Sequence, residues 1–201
     1  MRVIKGCVTV IGIIGILAIT TLIVGYFLFS LTPPIKAEML PFAASKEAAQ
    51  SFDQKIETLK AEIEAAVDAK EEKEVTLVIT EQEINNKMLD LKAEGELPLE
   101  DILINFDNKG YLLVYSELAT PGVDAKTGVK GKMKVVEGNL KIVVEDFDLG
   151  KLPLPQSIKG GVEGLLNILV SPRLADLPME ITAIKVSNDQ LAITGLTKIA
   201  D

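Results

Sequence analysis

The chain has 201 residues, a formal charge of −8, 48% hydrophobic and 4% aromatic content, no histidine, no tryptophan and one cysteine. Nineteen basic and 29 acidic residues follow residue 35, a charge of −10 that opposes the phosphate neutralisation on which nucleic-acid binding rests. Histidine acid-base chemistry and an intrachain disulfide are excluded outright, and the length suits one membrane segment plus one domain with a real core.

The first charge-free stretch runs from Lys5 to Lys36, and Val8 to Leu31 is apolar apart from scattered Thr and Gly. As a helix it spans roughly 36 Å, enough to cross a hydrocarbon core of about 30 Å. Arg2 and Lys5 flank its N-terminal end, so the positive-inside rule places residues 1–6 in the cytoplasm, 7–31 in the membrane and the remainder outside. A cleavable signal peptide is the competing reading, but its apolar region is shorter and its cleavage site lacks the prolines of "SLTPPIKA". Cys7 precedes the apolar run rather than following it, which argues against lipid attachment there.

Residues 32–44 read as a linker, with Pro33, Pro34 and Pro41 interrupting helix. Residues 45–74 read as an amphipathic helix whose Phe52, Ile56, Leu59, Ile63 and Val67 share one face. Two roles fit that stripe: a cover on a sheet, or a coiled-coil stalk that brings a protein partner or a second copy. The domain proper is then 75–201. It opens with the strand "VTLVIT", followed by a helix that Thr80 and Glu83 start with a capping box and that Gly95 stops.

Hairpin signals follow at Asp107–Gly110, at Glu137–Gly138 and at Asn188–Asp189. Lys130, Lys132 and Lys134 alternate with Gly131, Met133 and Val135, so one strand face is wet and the other buried. Sequential hairpins predict an α+β fold: an N-terminal transmembrane helix followed by a curved antiparallel sheet with helices packed on one face.

No nucleotide-binding loop or nucleophile elbow is present, and no cofactor or metal is called for. Ser157 and Lys159 diverge on a helix start, which makes Ser157 an N-cap rather than a nucleophile. "EDFD", Glu145–Asp148, offers carboxylates, yet Glu145 and Asp146 are expected on opposite strand faces, whereas calcium needs six to eight converging oxygens. The chain therefore reads as non-enzymatic.

One membrane helix, "VTLVITEQEINNKM", a run of hairpins, "KLPLP" before a helix and a terminal "LAITGLTKI" together resemble the YpmS-like family of membrane-anchored proteins, and more distantly the LmeA-like and tubular lipid-binding (TULIP) proteins. The resemblance covers about Val75 to Ile199. It implies an extracytoplasmic domain with a long helix on a curved antiparallel sheet and a lipid chain between them, with no catalytic residues.

The expected function is thus a membrane-anchored, single-pass extracytoplasmic domain that binds a lipid or other amphiphile between helix and sheet. The alternative is an interaction or assembly module of the cell envelope that uses the 45–74 helix. Candidate lining residues are Met133, Val135, Leu140, Ile142 and Val144 of the sheet, Leu152 and Leu154 of the corner, and Ile158, Val162, Leu165, Leu166 and Leu169 of the late helix. Ordinary core packing demands the same residues.

Gly160, Gly161 and Gly164 weaken that helix by about 1 kcal/mol each. Either close packing of its backbone on the sheet offsets the cost, or the helix is a loosely held cover hinged at Pro153 and Pro155.

Overall fold

The computed structural model describes residues 2–97, 99–118, 125–153, 159–164, 177–187 and 189–199. Helix α1 spans Arg2–Ser30, and its described part is the one helix among the described residues long and apolar enough to cross a membrane. A short 3-10 helix, Pro34–Glu38, leads to α2, Lys46–Ala69. Then come β1, Glu74–Thr80, α3, Glu81–Ala93, and the strands β2, Leu99–Phe106, β3, Tyr111–Leu118, β4, Lys126–Val136, and β5, Asn139–Leu149. A two-residue strand β6, Leu152–Pro153, a helical segment 159–164, β7, Met179–Ser187, and β8, Gln190–Thr197, complete the order.

The fold is α+β, and every strand pairing among the described residues is antiparallel. The described strands form two sheets rather than one: β1-β8-β7 and β2-β3-β4-β5-β6. The division follows from a long-range pairing, since β1 takes β8 as its partner and never meets β2. One apolar cluster joins the two sheets to the helices. It contains Leu59 and Ile63 of α2, Val75, Leu77 and Ile79 of β1, Ile102, Ile104 and Phe106 of β2, Leu140, Met179, Ile181, Leu191 and Ile193. Full burial of Ile63 alone is worth about 1.5–3 kcal/mol. Phe52, Ile56 and Val67 pack against the same cluster, so the apolar stripe of α2 is spent inside the domain. The helix begins at the Ser45 cap, whose hydroxyl accepts from Ala48 N, and ends where Lys70 turns left-handed.

Helix α3 owes its place to polar residues. Thr80 and Glu83 form the full capping box, and Glu83 also accepts from the Ser51 hydroxyl at 2.6 Å and the Lys55 ammonium at 2.8 Å. Asn85 is fully buried. It accepts from Ile104 N at 2.8 Å and donates to Ile104 O at 2.6 Å, closing the open edge of β2 as a neighbouring strand would. Glu81 accepts from Phe106 N on the same edge and from Asn105 Nδ2. Asn86 ties in the preceding chain by accepting from Ser45 N and donating to Ala43 O.

The segment read as a linker is a strap on the outer face of the five-stranded sheet. Ile35 and Met39 pack with Leu103, Leu113 and Tyr115, and Phe42 lies against them. Lys36 pairs with Asp101 at 3.0 Å and sits 3.7 Å from the centre of the Tyr115 ring, while Leu40 N donates to Asn105 Oδ1. The strap explains why every residue from Ile102 to Phe106 is buried: β2 is covered on both faces.

Candidate functional site

The ladder between β4 and β5 sorts their side chains. Val135 faces Leu140, Met133 faces Ile142 and Gly131 faces Val144 on the inner side, whereas Lys134 faces Lys141 and Lys132 faces Val143 on the outer side. Lys130 and Lys132 both rest near the Tyr111 ring, at 4.6 and 4.3 Å.

The register then slips by one residue. Lys130 pairs with Asp146 and Gly131 with Val144, which leaves Glu145 unpaired in a β-bulge. Beyond the bulge Phe147 faces Val129 and Leu149 faces Thr127, on the same inner side as Val144. A strand with even apolar positions at 140, 142 and 144 and odd ones at 147 and 149 thus keeps one apolar face.

The bulge also corrects the expectation for Glu145 and Asp146. Both belong to the outer side: Glu145 reaches Lys132 at 3.6 Å, and Asp146 lies opposite Lys130 and reaches Lys159 at 3.7 Å. Asp148 is held above the usual aspartate range, first by burial and then by the Asp146 charge, with Lys159 acting against them. Among the described residues no group of three or more His, Cys, Asp or Glu side chains is placed to hold a metal ion.

At the far end of β5 the chain reverses through Gly150 and Lys151. Leu152 returns opposite Leu149, and Pro153 opposite Asp148, so the corner adds a short edge strand instead of only ending one. Pro153 is therefore held in a ladder and is not a free hinge.

This turn meets the C-terminal end of α1. Lys151 N donates to Leu28 O at 2.8 Å, satisfying a carbonyl that a helix end leaves open, and Gly150 N donates to Lys126 O at 2.7 Å. Gly150 has φ +60°, and a Cβ there would fall on the carbonyl oxygens of Leu28 and Phe29. The residue is glycine for both reasons.

The candidate lining residues are distributed as follows. Leu140, Ile142 and Val144 are buried, and Met133 and Val135 are half-buried against the core cluster. Leu152 and Val162 are half-buried. Leu154, Ile158, Leu165, Leu166 and Leu169 lie outside the described residues, as do Pro155 and Ser157.

The helical segment 159–164 runs beside the open edge of β5. Its Glu163 accepts from Val144 N at 3.3 Å, and its Lys159 donates to Glu145 O at 2.6 Å. Among the described residues nothing lies within 4 Å of where a Cβ at Gly160, Gly161 or Gly164 would stand, so close packing on the described sheet does not account for them. The residues missed from sequence are Val129, Phe147, Leu149 and Gly150; the alternation that includes Met133 and Val135 was the signal for Val129, and the change of apolar parity at Glu145 that for Phe147 and Leu149.

The assembled surface is one apolar face, running from Leu149 and Leu152 beside the end of α1 to Val135 and Leu140 at the core. The eleven residues of β4 extend roughly 36 Å at about 3.3 Å each. Comparison of the chain with protein-family models, with curated proteins and with solved structures gives no match.

Proposed function

We propose that the chain is a single-pass membrane protein with a cytoplasmic N-terminus, and that its domain holds a lipid or other amphiphile outside the membrane without catalysing a reaction. In this reading the two sheets act as one curved wall, with the helices on its inner side. The acyl chain lies on the inner face of β4 and β5, against Val129, Met133, Ile142, Val144, Phe147 and Leu149.

The observation that carries the reading is the position of that face. It starts where the turn at Gly150 and Lys151 caps the end of α1. A hydrocarbon chain leaving a bilayer beside α1 would meet Leu152 and Leu149 first, and the bulge at Glu145 keeps apolar side chains under it for the length of the strand. Apolar surface with few placed polar groups is what such a ligand requires. The strap that follows α1 is docked on the sheet, which supports a reading in which this end of the face stays at the membrane.

The test is native mass spectrometry of the full chain released from membranes in mild detergent, followed by lipid extraction. An acyl-lipid adduct is expected on the wild type and absent from Met133→Trp, which fills the half-buried middle of the face. Protein that carries no lipid and takes up no fluorescent acyl probe overturns the reading.

A further inference from the structure

The open strand edges are treated differently along the molecule. Side chains of α3 close the edge of β2, and Glu163 and Lys159 close that of β5. The edge of β1 is left largely open. Its odd residues bond toward β8, as the flanking bonds Thr197 N to Lys73 O and Glu81 N to Asp189 O show, and its even residues face outward. Outward groups with partners are Val78 O, which accepts from Lys55 Nζ at 2.9 Å, and Thr80 N, which donates to Glu83 Oε2. Thr76 N, Thr76 O and Val78 N have none among the described residues.

Beside this edge runs an open groove of about 420 Å³. Thr76, Leu77 and Val78 form one wall, and Ser51, Lys55, Thr58 and Glu62 of α2 help form the other. Val78 is 37% exposed, one of few large apolar side chains outside α1 that face solvent among the described residues.

We propose that this groove receives an extended, basic polypeptide segment, which adds as a fourth strand to β1. Recognition is by the main chain: the added strand bonds Thr76 N, Thr76 O and Val78 N, and Lys55 withdraws to Glu83, with which it already pairs at 2.7 Å. The preference for a basic segment follows from charge. Between residues 62 and 74 there are six acidic and two basic residues, and Glu62 at the groove wall is only loosely paired, 3.6 Å from Lys73. The proposal assigns α2 a partner role through its polar side, and it uses none of the residues given to the acyl chain.

The simpler role of Lys55 is to guard a bare edge against pairing, and one experiment separates the two. The full chain in detergent micelles is panned against a display library of random heptapeptides, beside Thr58→Trp, an exposed position on α2 where the indole occupies the groove and every residue of β1 is left unchanged. Enriched peptides are resynthesised and scanned by N-methylation. The expected result is Lys- or Arg-rich peptides whose affinity falls at least about tenfold on Thr58→Trp and is lost on methylation at every second residue. Absence of enrichment over Thr58→Trp, or a methylation pattern without a two-residue period, overturns the proposal.

Discussion

Replacing Asn85 with Ala probes how α3 is joined to the five-stranded sheet. The side chain is wholly buried and makes three bonds: Nδ2 to Ile104 O at 2.6 Å, Nδ2 to Glu81 O at 2.8 Å, and Oδ1 from Ile104 N at 2.8 Å. Alanine leaves both backbone groups of Ile104 without partners in a buried position, at about 1–3 kcal/mol for each. Its better helix propensity returns only about 0.5 kcal/mol. The net loss is therefore about 2–5 kcal/mol, a large share of the ~5–15 kcal/mol that holds a typical domain. Asn85→Asp keeps the shape and the bond from Ile104 N, but it sets a carboxylate oxygen against Ile104 O. It should lose at least as much at neutral pH and recover part of the loss in acid, where a protonated carboxyl can donate. Urea titrations of the full chain in mild detergent, compared at equal m-values, read both losses. A loss under about 1 kcal/mol for Asn85→Ala, or an Asn85→Asp variant as stable as the wild type, refutes the edge-closing role.

Two further outcomes follow from the same geometry. Because no atom of the described residues lies within 4 Å of a Cβ at Gly161 or Gly164, alanine at either should raise stability by up to about 1 kcal/mol, whereas Gly150→Ala should destabilise the junction with α1; thermal melts showing the opposite order would contradict both assignments. The first turn of α3 carries two glutamates shifted in opposite senses. Burial pushes Glu81 up despite bonds from Phe106 N and Asn105, while burial of Glu83 is outweighed by bonds from Lys55, Ser51 and Thr80 N, which bring it down. A depressed carboxylate stabilises above its unfolded pKa and loses that contribution as pH falls through its folded value. A raised one costs stability when ionised, and the cost is relieved as pH falls through the folded value. Relative to wild type, the deficit of Glu83→Gln should thus shrink on acidification and that of Glu81→Gln should grow; parallel slopes in pH-dependent urea melts would rule this out.

How much of this was readable from sequence depended on the range of the interaction. The capping box at Thr80 and Glu83 and the turns at Asp107–Gly110 and Glu137–Gly138 are local, and their residues announce them. That β1 pairs β8 is a contact across more than a hundred residues, as in the 3.1 Å approach of the Thr76 and Thr194 hydroxyls, and alternating residues alone do not say which strand is the neighbour. A single sheet was expected for that reason. The strap was hidden because prolines read as linker whether or not Ile35 and Met39 find a surface, and Gly128, where a Cβ would strike the Ile35 side chain, marks the place only once the two are seen together. Nothing in "EINN" marks Asn85 and Asn86 as buried; they are so because bare backbone groups of β2 and of the chain before α2, which have no sequence signature, need partners. At the candidate site the apolar residues of β4 and β5 were evident, but the side on which Phe147 and Leu149 fall was set by one unpaired residue, Glu145.

The most direct measurement is site-resolved crosslinking of the full chain in membranes, with a lipid that carries a photoreactive group at the middle of its acyl chain, followed by peptide mapping. Attachment concentrated on β4 and β5 at Val129, Met133, Val144 and Phe147, and lost in Met133→Trp, is the predicted result. Attachment confined to α1, with none on the inner face of β4 and β5, would contradict the proposed function.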